Sequence, residues 1–157
     1  MPDRAEIARQ LIADNLYLSL GTADADGTPW VTPVFFTPDG FSDFYWVSDP
    51  NTQHSRNLAN RPDAAAAIFD THAIVGRAEA VYLKLTATQV PDGDLEPALA
   101  IYNSRLPEAK HFELPELLTP APFRLYHATV LEHSVLVRGG DPEHGNPADT
   151  RIPISLD

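Results

Sequence analysis

A β-barrel with a few peripheral helices is the fold this sequence predicts, and three observations carry it. Short runs with two-residue alternation recur along the chain, the first being Leu16, Leu18 and Leu20 against Tyr17 and Ser19. Turn sequences separate the runs, among them Asp24-Ala25-Asp26-Gly27 and Pro38-Asp39-Gly40. Helical periodicity is confined to a few short stretches. A mainly β chain of about six strands joined by hairpins closes most simply as an antiparallel barrel, because closure removes unpaired edges.

The elements follow in order. Asp3 to Asn15 places Ile7, Ala8, Leu11 and Ile12 together, with Asp3 as N-cap and Glu6 at capping-box spacing, and predicts an amphipathic helix. Leu16–Leu20 and Pro29–Phe36 form a hairpin across the Asp-Gly turn; Pro33 cannot donate to a ladder and predicts an edge or a bulge. Phe44-Tyr45-Trp46-Val47-Ser48 is an aromatic-rich strand. Asp49 to Thr52 then caps a short helix, Gln53 to Asn60, which Pro62 stops. Ala64–Asp70 reads as a strand, His72–Gly76 as a loop and Arg77–Val90 as a long extended run.

Asp94–Ser104 carries Leu95, Leu99 and Tyr102 on one helical face. Pro107–Pro122 shows little periodicity beyond one helical turn near Glu113 to Leu118. Phe123–Val137 is a long strand. Its odd positions Phe123, Leu125, His127, Thr129, Leu131 and His133 share one side, with Tyr126, Val130 and Leu136 on the other. Gly139 to Asp149 is polar and turn-rich, and Arg151–Leu156 is a last short strand. No repeat, linker or shift of composition divides the chain, so residues 1–157 read as one domain.

Composition excludes several function classes. A net charge of −11 argues against nucleic acid or an anionic membrane as partner, since both need a basic footprint. The chain has no cysteine, which removes disulfides, thiolate nucleophiles and zinc–cysteine sites. Its longest apolar runs, such as Ala64 to Phe69, are strand-length, and Met1 to Glu6 lacks a basic, then apolar, leader; the expected compartment is the cytoplasm. The six histidines suggest no metal centre: His127 and His133 lie six residues apart on one extended run, too far for one ion. Ser19, Ser48 and Ser55 have no nucleophile-elbow context, and Gly139-Gly140 lacks the strand–turn–helix setting of a phosphate loop. Trp30 and Trp46 read first as core residues.

One local pattern does point to a ligand. The passage from Ser48 to Arg56 crosses from a strand to a helix start, where free N–H groups and the positive end of the helix dipole favour an anion. Thr52, Gln53, His54, Ser55 and Arg56 surround that start with hydroxyl, amide, imidazole and guanidinium donors. An ordinary capped surface helix would show the same residues.

The ordered set Asp26-Gly27, Pro29-Trp30-Val31-Thr32-Pro33-Val34, Phe44-Tyr45-Trp46-Val47-Ser48 and Asn57-Leu58-Ala59-Asn60-Arg61-Pro62 resembles the pyridoxamine-phosphate-oxidase-like, FMN-binding split barrels. The resemblance covers roughly the first 90 residues, with Phe123–Val137 fitting the family's late interface strand. It implies a six-stranded antiparallel split barrel that forms a homodimer and holds FMN between the two subunits. Thr32, Pro33, Val34 and Phe35 would line the flavin, Trp46, Val47 and Ser48 would meet its ring, and Thr52, Gln53, His54 and Ser55 would hold the phosphate. Oxidases of this family place an arginine at the position of Thr32 and an Arg-Lys pair at Gln53-His54, so strong cations are replaced by weaker donors. Arg56 is the one nearby guanidinium.

The activity implied is an FMN-dependent oxidoreductase acting on a small organic substrate, with the cofactor doing the chemistry and no side chain assigned as acid or base. Pyridoxamine phosphate is not the expected substrate, because the tail offers only Arg138 and Arg151 for a second phosphate. Two alternatives stay open: a deazaflavin-dependent reductase, and a non-enzymatic dimeric module that binds flavin or no cofactor.

Overall fold

The computed structural model describes residues 3–157. Met1 and Pro2, which begin the segment read above as no leader, lie outside the described residues. Among the described residues there are eight strands and three α-helices: α1 Arg4–Asp14, β1 Tyr17–Ala23, β2 Pro29–Phe35, β3 Thr37–Asp39, β4 Asp43–Ser48, α2 Gln53–Asn60, β5 Asp63–Phe69, β6 Ala80–Gln89, α3 Leu95–Asn103, β7 Arg124–Val137 and β8 Thr150–Ile154. All strands belong to one antiparallel sheet of order β2-β1-β5-β6-β7-β4-β3, with β8 added on β7.

Only Phe36 separates β2 at one end of that order from β3 at the other. The chain therefore carries one continuous stave from edge to edge and curls the sheet into a barrel of six staves: β2/β3, β1, β5, β6, β7 and β4. The expected six-stranded architecture is what forms. Pro29 and Pro33 sit in β2, which pairs only with β1, as their missing N–H groups require.

Inward side chains fill the barrel. Leu18, Leu20, Val34, Phe36, Phe44, Trp46, Ile68, Leu83 and Leu85 are buried there, and Ala8 and Ile12 of α1 pack against them. A second apolar cluster lies outside the wall, where Leu95, Ala98, Leu99 and Tyr102 of α3 cover Leu125, Val47 and Phe35. Asp3 caps α1 by accepting from the Ala5 N–H. Glu6 pairs with Arg9 at 3.4 Å rather than completing the capping box.

Three sequence expectations need correction. Leu16 precedes β1 and is 52% exposed, so the inward alternation starts at Leu18. The run from Arg77 enters the sheet only at Ala80; a turn with Gly76 at φ +81° occupies the residues before it. In β7 the two-residue alternation breaks. Lys84 faces Glu132 but Leu85 faces Val130, which leaves Leu131 as an extra residue on β7. Tyr126, Ala128 and Val130 are buried before this bulge, whereas His133, Val135 and Val137 are buried after it. His127 and His133 thus face opposite sides of the wall, and His133 bonds the Phe41 carbonyl at 2.6 Å.

β7 also divides its neighbours. It keeps β6 on one side along its length; on the other, β4 pairs with residues 124–129 and β8 with residues 133–137.

Candidate functional site

The residues singled out by sequence separate into an inward and an outward set. On β2, Thr32 and Val34 lie opposite Leu20 and Leu18, the buried positions of β1, and so face inward; Pro33 and Phe35 face outward. Val34 is buried in the barrel core, and Phe35 packs in the outer cluster with Val47. One ligand lying on one face of β2 therefore meets either Thr32 or Pro33 and Phe35 through side chains.

Trp46 is the clearest correction. Its indole is fully buried, stacked on Tyr126 at 6.3 Å between centroids, and offers no face to a ring. Its Nε1 has no hydrogen-bond partner among the described residues. Ser48, two residues on along the same strand face, lies at the end of β4 where α2 begins.

That end holds the polar cluster. Thr52 is the N-cap of α2, and its hydroxyl accepts from the Ser55 N–H at 3.4 Å while donating to the Asp49 carbonyl at 2.9 Å. Ser55 Oγ lies 2.8 Å from the same oxygen, and Nε2 of His54 lies 2.9 Å from the Ser48 hydroxyl. His54 and Ser55 are buried. Gln53 and Arg56 form the outer rim: Gln53 donates to Asn57, while Arg56 donates to the Asn51 carbonyl at 2.5 Å and to Gln53 Oε1 at 3.0 Å. Asn57 donates to Thr22 at 3.0 Å and anchors the helix on β1.

Sequence reasoning missed Tyr126. It is buried beneath α2, shares with Ser55, Pro50 and Gln89 a cleft of about 230 Å³, and its phenol is pushed above its usual pKa by burial, partly offset by a hydrogen bond with Ser55. Only the register that sets Tyr126 opposite Trp46 brings it here, a pairing about 80 residues apart in sequence.

Burial lowers the pKa of His54 below 6.5, so the ring is neutral at pH 7. In the window below that value the unfolded chain binds more protons than the folded one, and stability falls as the pH drops through it. Urea midpoints at pH 7.5 and 5.5 are expected to differ more for the wild type than for His54→Gln. An unchanged pH dependence in the variant assigns the effect elsewhere.

A second polar cluster is of another kind. Asp141, Glu143 and His144 bring ligand-type atoms within 4.8 Å of one another, but the Arg4 guanidinium lies 2.7 Å from Asp141 and 3.8 Å from Glu143. The Arg4 hydrogen bond, joined by weaker ones from His144 and Glu143, holds the Asp141 carboxyl well below the usual range. The group ties α1 to the loop after β7.

A six-stave antiparallel barrel with its polar cluster at a strand-to-helix crossing is a split-barrel architecture. The profile described as pyridoxamine 5'-phosphate oxidase matches residues 5–132, and the chain belongs to that family. No curated protein matches the sequence. Among solved structures, a heme-binding protein from Mycobacterium smegmatis is similar at 22% identity and TM-score 0.71, over 98% of this chain and 59% of that one. An F420 reductase matches at 20% identity and TM-score 0.60, over 85% and 98%. A FAD-binding protein from Mesorhizobium loti matches at 19% identity and TM-score 0.63, over 80% and 87%. At these identities the likeness is one of fold. No helix among the described residues is long and apolar enough to cross a membrane.

Proposed function

We propose that this protein is a flavin-dependent oxidoreductase that binds FMN between the two subunits of a homodimer and acts on a small organic substrate. The observation that carries the reading is the cluster at the start of α2, where Thr52, His54 and Ser55 meet Ser48 at the barrel rim. The first-turn N–H groups of an eight-residue helix, with hydroxyl and amide donors beside them, suit a phosphate through the helix dipole and neutral hydrogen bonds. Thr52, Gln53, His54 and Ser55 would hold that phosphate, with Arg56 at the rim. Flavin, when bound, would supply the redox chemistry, and the chain would supply orientation and a shielded wall.

The outward face of β1, β2 and β5 supports the dimer. Small residues Ser19, Gly21, Ala65 and Ala67 lie between exposed Tyr17, Val31 and Phe69, giving an apolar face of low relief. Sedimentation of a dimer would agree with this face being covered.

Titration with FMN, followed by flavin fluorescence, tests the reading. Saturable binding that weakens about fivefold in Thr52→Ala and in His54→Ala is expected, the value of one neutral hydrogen bond. Absent FMN binding, with saturable binding of F420 or heme in its place, would overturn it in favour of that cofactor. Binding without reduction and reoxidation would leave a sequestering module.

A further inference from the structure

A second concave site lies on the other side of the wall, where α3 leans over the outer faces of β4, β6 and β7. It encloses about 260 Å³ and is lined by Tyr45, Thr88, Asp94, His127 and the prolines Pro91 and Pro97, with aliphatic groups between them. By volume it has room for about eight waters, or a small organic molecule.

The histidine in this cleft is held in one orientation. His127 lies directly opposite Tyr45 on β4 and Thr88 on β6. Its Nε2 lies 2.7 Å from Oδ1 of Asp43, and the Tyr45 ring stacks on the imidazole at 4.8 Å and 26°. A carboxylate at Nε2 fixes the proton there and leaves Nδ1 as the ring's acceptor.

The charge around this acceptor has one sign. Asp43 faces the ring from β4 and Asp94 lines the cleft from the turn before α3; no lysine or arginine lines it. Asp94 occupies the N-cap position of α3 but makes no capping hydrogen bond, so its carboxylate is not consumed by the helix. Asp92 and Glu96 also place negative charge at the positive end of that helix, which weakens its attraction for an anion. The Tyr45 phenol is raised above its usual pKa by burial and then by Asp43 and Asp39, in keeping with a negative field.

We propose that this cleft binds a small organic ammonium cation, whose N–H groups donate to Nδ1 of His127 and to the Asp94 carboxylate while its carbon skeleton packs against Tyr45, Pro91 and Pro97. The proposal is independent of the flavin reading, because none of these residues belongs to the cluster at α2. Aromatic faces and carboxylates together suit such a cation, whereas an alcohol of the same shape lacks the charge and a carboxylate is repelled.

The test follows the imidazole resonances of His127 by NMR while n-butylammonium is titrated into the full chain. Butanol and butyrate serve as isosteric controls. A saturable shift with the ammonium alone is expected, weakened about tenfold in Asp94→Asn, a surface exchange that leaves the fold intact, and likewise in His127→Gln, where the Tyr45 ring resonances serve as the reporter. Equal shifts from butanol or butyrate, no saturation with the ammonium, or unchanged affinity in Asp94→Asn would each overturn the proposal.

Discussion

Arg105→Ala is expected to lower the melting midpoint by roughly 6–12 °C, corresponding to about 3 kcal/mol for a domain of this size. The guanidinium of Arg105 ties the segment after α3 to the end of α1 and to the residue between β2 and β3. It donates to the Phe36 carbonyl at 2.6 Å, to Ala13 at 2.9 Å and to Asn15 at 2.6 Å, and it lies 4.7 Å above the Phe36 ring. Two of these acceptors terminate or follow α1, where the helix dipole is negative; the third is the single residue between β2 and β3. Burial lowers the pKa of Arg105, yet a guanidinium stays charged throughout the useful pH range. Removing it leaves partly buried carbonyls without donors, which is where most of the cost lies. Arg105→Lys should recover less than half of the loss, since one ammonium cannot span the three acceptors. Thermal melts followed by circular dichroism decide the matter, and a shift below about 2 °C would show that the carbonyls find other donors.

Trp46 should respond very differently to two substitutions. Trp46→Ala empties a large, fully buried site and is expected to cost about 3–5 kcal/mol. Trp46→Phe loses part of the ring but also removes an indole N–H that is buried without a partner, a burden of about 1–3 kcal/mol. The two terms nearly offset, and a net change within about 1 kcal/mol is expected. Urea unfolding of both variants separates these cases. A large loss in Trp46→Phe would mean that the N–H has a partner in solution, such as a buried water.

How much of this was legible beforehand depends on how local each cause is. Helix α2 could be read because its signals are adjacent: Thr52 caps it and Pro62 follows its end. The Thr52–Ser55 cluster was visible for the same reason. Which side of β2 or β4 faces inward was not legible, since alternation gives two faces but not their destinations. Trp46 and Phe35 therefore looked alike as flat neighbours for a ring, while the structure buries one in the barrel and packs the other outside it. Tyr126 beside Ser55, and Asp43 beside His127, exist only through the pairing of β4 with β7. Arg105 reaches residues about 70 and 90 positions earlier, so no local pattern could announce it.

The extra residue at Leu131 makes β7 two half-strands of opposite phase. Even-numbered residues are core up to Val130 and odd-numbered ones from His133 onward. Any alignment, loop graft or library that treats Arg124–Val137 as one alternating unit will turn one half inside out. Deleting Leu131 has the opposite effect: Glu132 would follow Val130 directly, the pairing with Lys84 and Leu85 would become regular, and the apolar faces of both halves would stay inward.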